Sequence, residues 1–439
     1  MEIVEHFLKF ERDNKLFDIK DKYGLNVWEA IRYCVGGQII RNATMGFLIN
    51  HEGHNSSVFF AMKRLTLFVL YSIRHFRSSI LFILCSRDYK ENTYQDAISD
   101  GMYKLVPPND SFVIETTFNW CKDDYLYGNV CPSIFTLLLR LNRRKYDFSV
   151  IEDIVKRSYP NISFDIREWE SLYKMFLTQY LFYNIFFKII RIKKIVFVQN
   201  GIFKGLLAAA KKHNIVTIEM QHGQISKNHL MYSYDPSLLK EKYLYNPNYL
   251  LTFSPFWLKD GVLPGTQVVP IGNNTFYSVE FNFKKSFKSI LVVSSVNHED
   301  SLISIVSEIL KIDSSFTVYY KLHPDEYNRV AFFNKVFSEH IEVKVVKDVP
   351  ISALLNKVDV VLLVQSSVMT EALNAGVNVF VYRIKDYEVM DFLFEEEGVS
   401  FIDDAETFIK KYKDIGKVVI NQGKYYVQFD SEKAKSVLF

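Results

Sequence analysis

From residue 193 onward, short apolar runs alternate with segments whose apolar residues recur every three or four positions. KKIVFVQN (193–200) and IVTIEMQHG (215–223) flank GIFKGLLAAAKKHN (201–214). Two short buried strands around a crossover helix imply a parallel pair. YLLTFSPFW (249–257) and QVVPIGN (267–273) continue the alternation, and residues 274–287, NNTFYSVEFNFKKS, break it and read as a linker. The pattern then restarts, predicting strands at 289–295, 316–324, 341–346, 359–367 and 377–383, with helices at 300–312, around 328–338, at 349–358 and at 368–376. Alternation of this kind predicts an α/β protein of two doubly wound Rossmann-like domains facing a cleft. The expected domains are 1–275, with a helical N-terminal extension, and 285–439.

The first half is less regular. Residues 1–50 read as helical and loop segments with Trp28, Ile31 and Ile39 buried, and SSILFILCS (78–86) reads as a first buried strand. From Gly53 to Arg87 there is no acidic residue but five basic ones, Lys63, Arg64, Arg74, Arg77 and Arg87. The apolar run 65–73 between these cations is either a core helix with solvated ends or an amphipathic helix against a membrane surface. A second acid-free stretch, Ser171 to Ile215, carries eight basic residues: Lys174, Lys188, Arg191, Lys193, Lys194, Lys204, Lys211 and Lys212. Two such stretches in a nearly neutral chain suggest a positive patch suited to anionic lipid or a lipid-linked phosphate.

A length of 439 residues suits two domains or three small ones, and 49% hydrophobic residues exclude a disordered chain. The net charge of +3 disfavours a generally basic nucleic-acid binder, so no nucleic-acid partner is expected. Cys34, Cys85, Cys121 and Cys131 are widely spaced, which argues against a disulfide framework or structural zinc. The N-terminal residues lack a signal-peptide pattern, and no apolar run approaches the roughly 20 residues that span a bilayer. A cytoplasmic location is expected, with contact at the inner face of the membrane as an extension of it.

In open α/β sheets, ligands bind beyond the carboxyl ends of the strands. Three such ends carry polar residues: Gln221-His222-Gly223, Lys321-Leu322-His323-Pro324 and Gln365-Ser366-Ser367. Ser366 and Ser367 sit where a strand hands over to a helix, a place suited to an anion or to a plain N-cap. Glu371, one turn further on, is either a ribose acceptor or a surface carboxylate. His323, held extended by Pro324, can stabilise charge on a leaving phosphate or simply face solvent, with Lys321 on the same side of the strand. His222, before Gly223, is a candidate general base, with Glu219 the competing base and a structural histidine the alternative.

QHG, then KLHP, then QSS followed by TEALNAGVNVFVY resembles the GT-B glycosyltransferases of bacterial surface polysaccharides. The His-Pro and Ser-Ser pairs are similar to those of bacterial sialyltransferases and polysialyltransferases, Kdo transferases and teichoic acid glycerophosphotransferases. That resemblance implies a cytidine-nucleotide donor in the C-terminal domain, with His323, Ser366 and Ser367 on its phosphate and Lys321 near the nucleotide. It also implies an acceptor-binding N-terminal domain in which His222 activates the acceptor. The expected reaction moves a sialic acid or Kdo type sugar from a CMP-sugar onto a capsule or lipopolysaccharide O-antigen glycan, the acceptor being lipid-linked or an oligosaccharide. No Asp-x-Asp, P-loop or G-x-G-x-x-G is present, so no metal or further cofactor is expected. The alternatives are a UDP-hexose transferase, a UDP-sugar 2-epimerase, and a non-catalytic polysaccharide-assembly protein.

Overall fold

The apolar runs become strands enclosed on both faces, as parallel strands covered by helices must be. The computed structural model describes residues 2–41, 58–85, 88–90, 93–96, 98–116, 132–241, 244–257, 263–274, 288–415 and 423–439. The chain divides into two compact units, Met1–Ile271 with Phe429–Phe439, and Gly272–Gln428. The linker expected over 274–287 lies, after Asn274, outside the described residues, as do Arg87, Cys121 and Cys131.

The first unit contains β1 (Ile80–Cys85), a small antiparallel hairpin of β2 (Asp88–Lys90) and β3 (Thr93–Gln95), then β4 (Ser111–Thr116), β5 (Lys194–Val198), β6 (Val216–Met220), β7 (Tyr249–Thr252) and β8 (Gln267–Pro270). Apart from the hairpin these strands form one parallel sheet, ordered β4-β1-β5-β6-β7-β8. The strand order reverses between β1 and β5. Helix Ile166–Ile189, capped by the Asp165 carboxylate accepting from Arg167 N at 3.0 Å, packs against helix Lys204–Lys212. Gly205 permits the approach, since a Cβ there would stand 2.1 Å from the Phe176 carbonyl oxygen. The N-terminal helices Glu2–Asp13 and Trp28–Arg41 bury Trp28, Ile31 and Ile39 as predicted.

The two acid-free stretches behave differently from one uniform patch. Lys194 donates to Val437 O (2.9 Å), Lys211 to Leu244 O (3.0 Å) and Lys212 to the Tyr180 hydroxyl (3.1 Å). Lys204 is buried and donates to Tyr245 O (2.9 Å) and Asn246 Oδ1 (3.1 Å), with Glu29 at 3.4 Å. Of these four cations only Lys204 is buried; Lys211 and Lys212, like Lys188, Arg191 and Lys193, stay exposed, with their ammonium groups held by local acceptors in the first two. Helix Val58–Arg74 contains the apolar run 65–73 and matches neither reading fully: Phe68 is turned inward, whereas Leu67, Val69, Leu70 and Ile73 are 47% to 65% exposed.

The second unit contains β9 (Ser289–Val293), β10 (Thr317–Lys321), β11 (Val343–Val346), β12 (Val360–Leu363), β13 (Asn378–Tyr382) and β14 (Val399–Ile402), all parallel and ordered β11-β10-β9-β12-β13-β14. In chain order this is the 3-2-1-4-5-6 arrangement of a doubly wound sheet, with its reversal between β9 and β12. Helix Glu299–Ile312 covers it with Leu302, Ile305, Val306 and Ile309, an i, i+3, i+4, i+7 stripe packed with Ile290, Val292 and Leu362. Gly272 is left-handed (φ 78°), and a Cβ there would lie 2.3 and 2.4 Å from the carbonyl oxygens of Gln428 and Val427.

The end of the chain departs from the expected boundary of 285–439. Helix Ser431–Leu438 belongs to the first unit, where Ala434, Val437 and Leu438 join Ile80, Phe82 and Val196 in one core. Its apolar face finds burial there, and the backbone amide of Asp430 bonds to Ile271 O at 2.7 Å.

Candidate functional site

The register of the second sheet places two of the three predicted clusters, residues 321–324 and 365–367, at one end of the sheet. Lys321 lies opposite Val293, and Leu362 opposite Val292, so the carboxyl ends of β10, β9 and β12 are adjacent. His323, Ser366 and Ser367 thus flank the reversal point, where backbone crossings diverge and leave a crevice.

Lys321, His323 and Ser366 have local partners there. Lys321 is buried, and its ammonium donates to the Tyr327 hydroxyl at 2.9 Å and to the Lys347 carbonyl. His323 is exposed and caps the 3₁₀ segment Pro324–Arg329: its Nδ1 accepts from Asp325 N at 3.3 Å, which in the neutral ring leaves the proton on Nε2. Glu326, 1% exposed, completes the cap by accepting from His323 N at 2.8 Å, and its other oxygen accepts from Ser294 Oγ at 3.0 Å. One carboxylate therefore fixes the end of β9 against the end of β10. The sequence reading missed it, although Glu three residues after a capping residue is the signal of such a box.

Ser366 Oγ accepts from Val368 N at 3.2 Å, a local turn that satisfies the first amide of helix Val368–Asn374, whose N-cap position is Ser367. Ser367 is exposed, and its carbonyl accepts from the Thr370 hydroxyl at 2.8 Å. Thr370 also meets the Tyr426 hydroxyl at 2.9 Å. Beside them the Glu371 carboxyl is pushed up to about 7 by burial, and its charge adds to the burial that raises the Tyr426 hydroxyl. His298, also missed, follows β9 at the reversal point and is 6% exposed. Burial lowers its pKa, Asp386 Oδ2 stands 3.6 Å from Nε2, and the imidazole is kept toward its neutral form. A histidine just after the first strand of the unit is the signal that was available.

In the first unit the ends of β5 and β6 are adjacent through Val198 opposite Met220. Glu219 is fully buried and accepts from Asn200 N (3.0 Å), Asn200 Nδ2 (2.8 Å) and the Tyr232 hydroxyl (2.7 Å). Burial raises its pKa against those bonds. It acts on the loops after β5 and β6 rather than presenting a carboxylate to solvent. His222 is half-buried beyond the strand end. The Gln221 side chain closes the turn beneath it, donating to Gly223 O (2.8 Å) and accepting from Phe253 N (2.8 Å). Gly223 has open space around it and no left-handed φ, so nothing in the chain itself requires a glycine there. Among the described residues no group of three or more His, Cys, Asp or Glu could hold a metal ion, and no helix is long and apolar enough to cross a membrane.

No protein-family profile matches the chain, and no curated protein does. Among solved structures it is similar to the UDP-GlcNAc 2-epimerase of Methanocaldococcus jannaschii (13% identity, 82% of this chain and 98% of that one, TM-score 0.48). It is also similar to the UDP-GlcNAc 2-epimerase of Neisseria meningitidis (13%, 82% and 98%, TM-score 0.47) and to MurG of Acinetobacter baumannii (9%, 82% and 94%, TM-score 0.45).

Proposed function

We propose that this chain is a glycosyltransferase that takes a sugar from a nucleotide donor, a CMP-sugar of the sialic acid or Kdo type, and places it on a surface glycan carried by a lipid or an oligosaccharide. The observation that carries the reading is the adjacency, at the strand-order reversal of the second sheet, of the strand ends that His323, Ser366 and Ser367 follow. The cytidine assignment rests on the KLHP and QSS motifs.

The chemistry divides among these residues. His222 takes the proton of an acceptor hydroxyl, whose oxygen bonds to the anomeric carbon as the bond from that carbon to the donor phosphate breaks. The electron pair stays on the leaving phosphate, stabilised by the hydroxyls of Ser366 and Ser367 and by the Nε2–H of His323. Glu371 accepts from ribose hydroxyls, while Lys321 and Glu326 hold the edge in place. These fixed donors perform the role of a cation, so transfer is expected to persist in excess EDTA.

Calorimetric titration with CMP, CDP, UDP and GDP tests the reading. Preference for cytidine nucleotides, lost in the Ser366→Ala/Ser367→Ala variant, is expected. Absence of binding by any nucleotide would end the proposal. Epimerisation of a UDP-sugar without acceptor would replace transfer by the epimerase alternative.

A further inference from the structure

Three helices of the first unit, Val58–Arg74, Pro132–Leu141 and Ile166–Ile189, enclose a groove of about 1050 Å3. Its floor is aromatic, with Phe68 and Phe182 at 6.5 Å and Phe182 and Phe186 stacked at 5.9 Å between centroids. Its rim is apolar yet open to solvent: Ile73 is 65% exposed, Leu141 67%, Ile185 59% and Ile189 67%. Contiguous apolar surface on this scale marks an interaction site.

The charges around it select the partner. Residues 58–85, 132–146 and 171–193 contain no Asp or Glu. Arg143 and Arg144 line the groove, and Arg74, Arg77, Lys188 and Arg191 are exposed next to its apolar rim residues. A second copy of this chain seated on the same face would set one cationic rim against another, which costs energy. A bilayer of anionic lipid offers hydrocarbon to the groove and negative headgroups to the rim together.

We infer that this three-helix face docks on an anionic membrane, with acyl chains entering the groove and lipid phosphates meeting the arginine rim. The inference deepens the proposed function by locating where a lipid-linked acceptor's membrane is met, and it rests on that reading for the class of acceptor alone.

Flotation of the full chain with vesicles tests it. The chain should float with phosphatidylcholine vesicles containing about 30% phosphatidylglycerol, bind pure phosphatidylcholine at least about tenfold less, and be released at about 0.5 M salt. Ile185→Glu/Ile189→Glu should abolish flotation. Arg74→Gln/Arg143→Gln should weaken it about fivefold for each cation removed. Both variants should keep the wild-type circular dichroism and nucleotide affinity. Should the glutamate pair misfold, the arginine pair, which lies on the surface, still decides. Flotation with neither vesicle, or equally with both, overturns the inference and leaves the groove to the chain's own residues or another partner. A wild-type dimer that the glutamate pair dissociates overturns it in favour of a second copy. Vesicle binding without any nucleotide binding would refute the proposed function and leave the docking face standing.

Discussion

At the scale of single residues, Glu371 and Glu219 are two desolvated carboxylates put to different uses, the first half-buried and the second fully buried. Glu371 is raised to about 7 by burial. Between the unfolded value near 4.5 and about 7 the folded chain keeps a proton that the unfolded chain has released, so this group's contribution to stability is whole at low pH and falls as pH rises through that window. Glu371→Gln should therefore melt with the wild type at about pH 4 and several degrees above it at about pH 8, a gain on the order of 1–3 kcal/mol. The same variant should bind nucleotide roughly tenfold more weakly if the carboxylate accepts from ribose, since hydrogen bonds to charged groups contribute about 1.5–3 kcal/mol. Equal melting at both pH values would show that the site is better solvated than its burial implies. Glu219, saturated by Asn200 and Tyr232, should respond in the opposite sense. Glu219→Gln turns an amide N–H₂ toward existing donors and should cost about 1–3 kcal/mol of stability with nucleotide affinity intact. His222→Ala should keep its melting temperature and lose roughly 10²–10⁴-fold in single-turnover transfer. Transfer abolished in a stably folded Glu219→Gln, with His222→Ala near wild type, would make the carboxylate the base.

At the scale of elements, what could be read from the chain depended on burial. Interior strands such as β9 and β12 are buried at every position and, after Ser289, wholly apolar, so they announce themselves as runs. The edge strands β4 and β14 do not: SFVIET follows two prolines and ends in polar residues, and VSFI is four residues long. β14 is only partly enclosed, whereas β4 is buried from Ser111 to Glu115 and loses the signal to the polar residues at its ends. The strand-end residues were legible because doubly wound topology brings carboxyl ends to one edge, whereas their partners were not. Nothing in the spacing of Ser294, His323 and Glu326 shows that one carboxylate binds two strand ends together. The short helix Val368–Asn374 supplies the sharpest test at this scale, because Ser366 already accepts from its first amide. Ser366→Ala should cost about 1 kcal/mol of stability from that lost hydrogen bond. Ser367→Ala, at an exposed position without a side-chain cap bond, should cost almost none. If both hydroxyls hold phosphate, the double variant should weaken nucleotide binding by about 1–3 kcal/mol, more than that hydrogen bond accounts for. Unchanged affinity in a folded double variant would reduce the pair to a local turn.

At the scale of the molecule, the chain leaves the first unit at Ile271, builds the second, and returns at Phe429 for its last residues. Periodicity along a sequence cannot report such a return, because the apolar stripe of Ser431–Leu438 would suit either core. In the structure that stripe closes the first one: Ala434, Val437 and Leu438 are at most 6% exposed beside Ile80, Phe82 and Val196, and Lys194 reaches the Val437 carbonyl. Ending the chain after Gln428 should therefore injure the unit it follows least in sequence. Removing a single buried Leu costs about 2–5 kcal/mol, and this truncation removes several apolar side chains together. Hydrogen exchange on the truncated chain should show protection lost in β1, β5 and β6, while β9, β10 and β12 exchange as in the full chain. The chain should consequently lose the environment of His222 yet retain nucleotide binding at Ser366 and Ser367. Loss of protection confined to the second sheet, or none in the first, would return the C-terminal helix to the unit that precedes it.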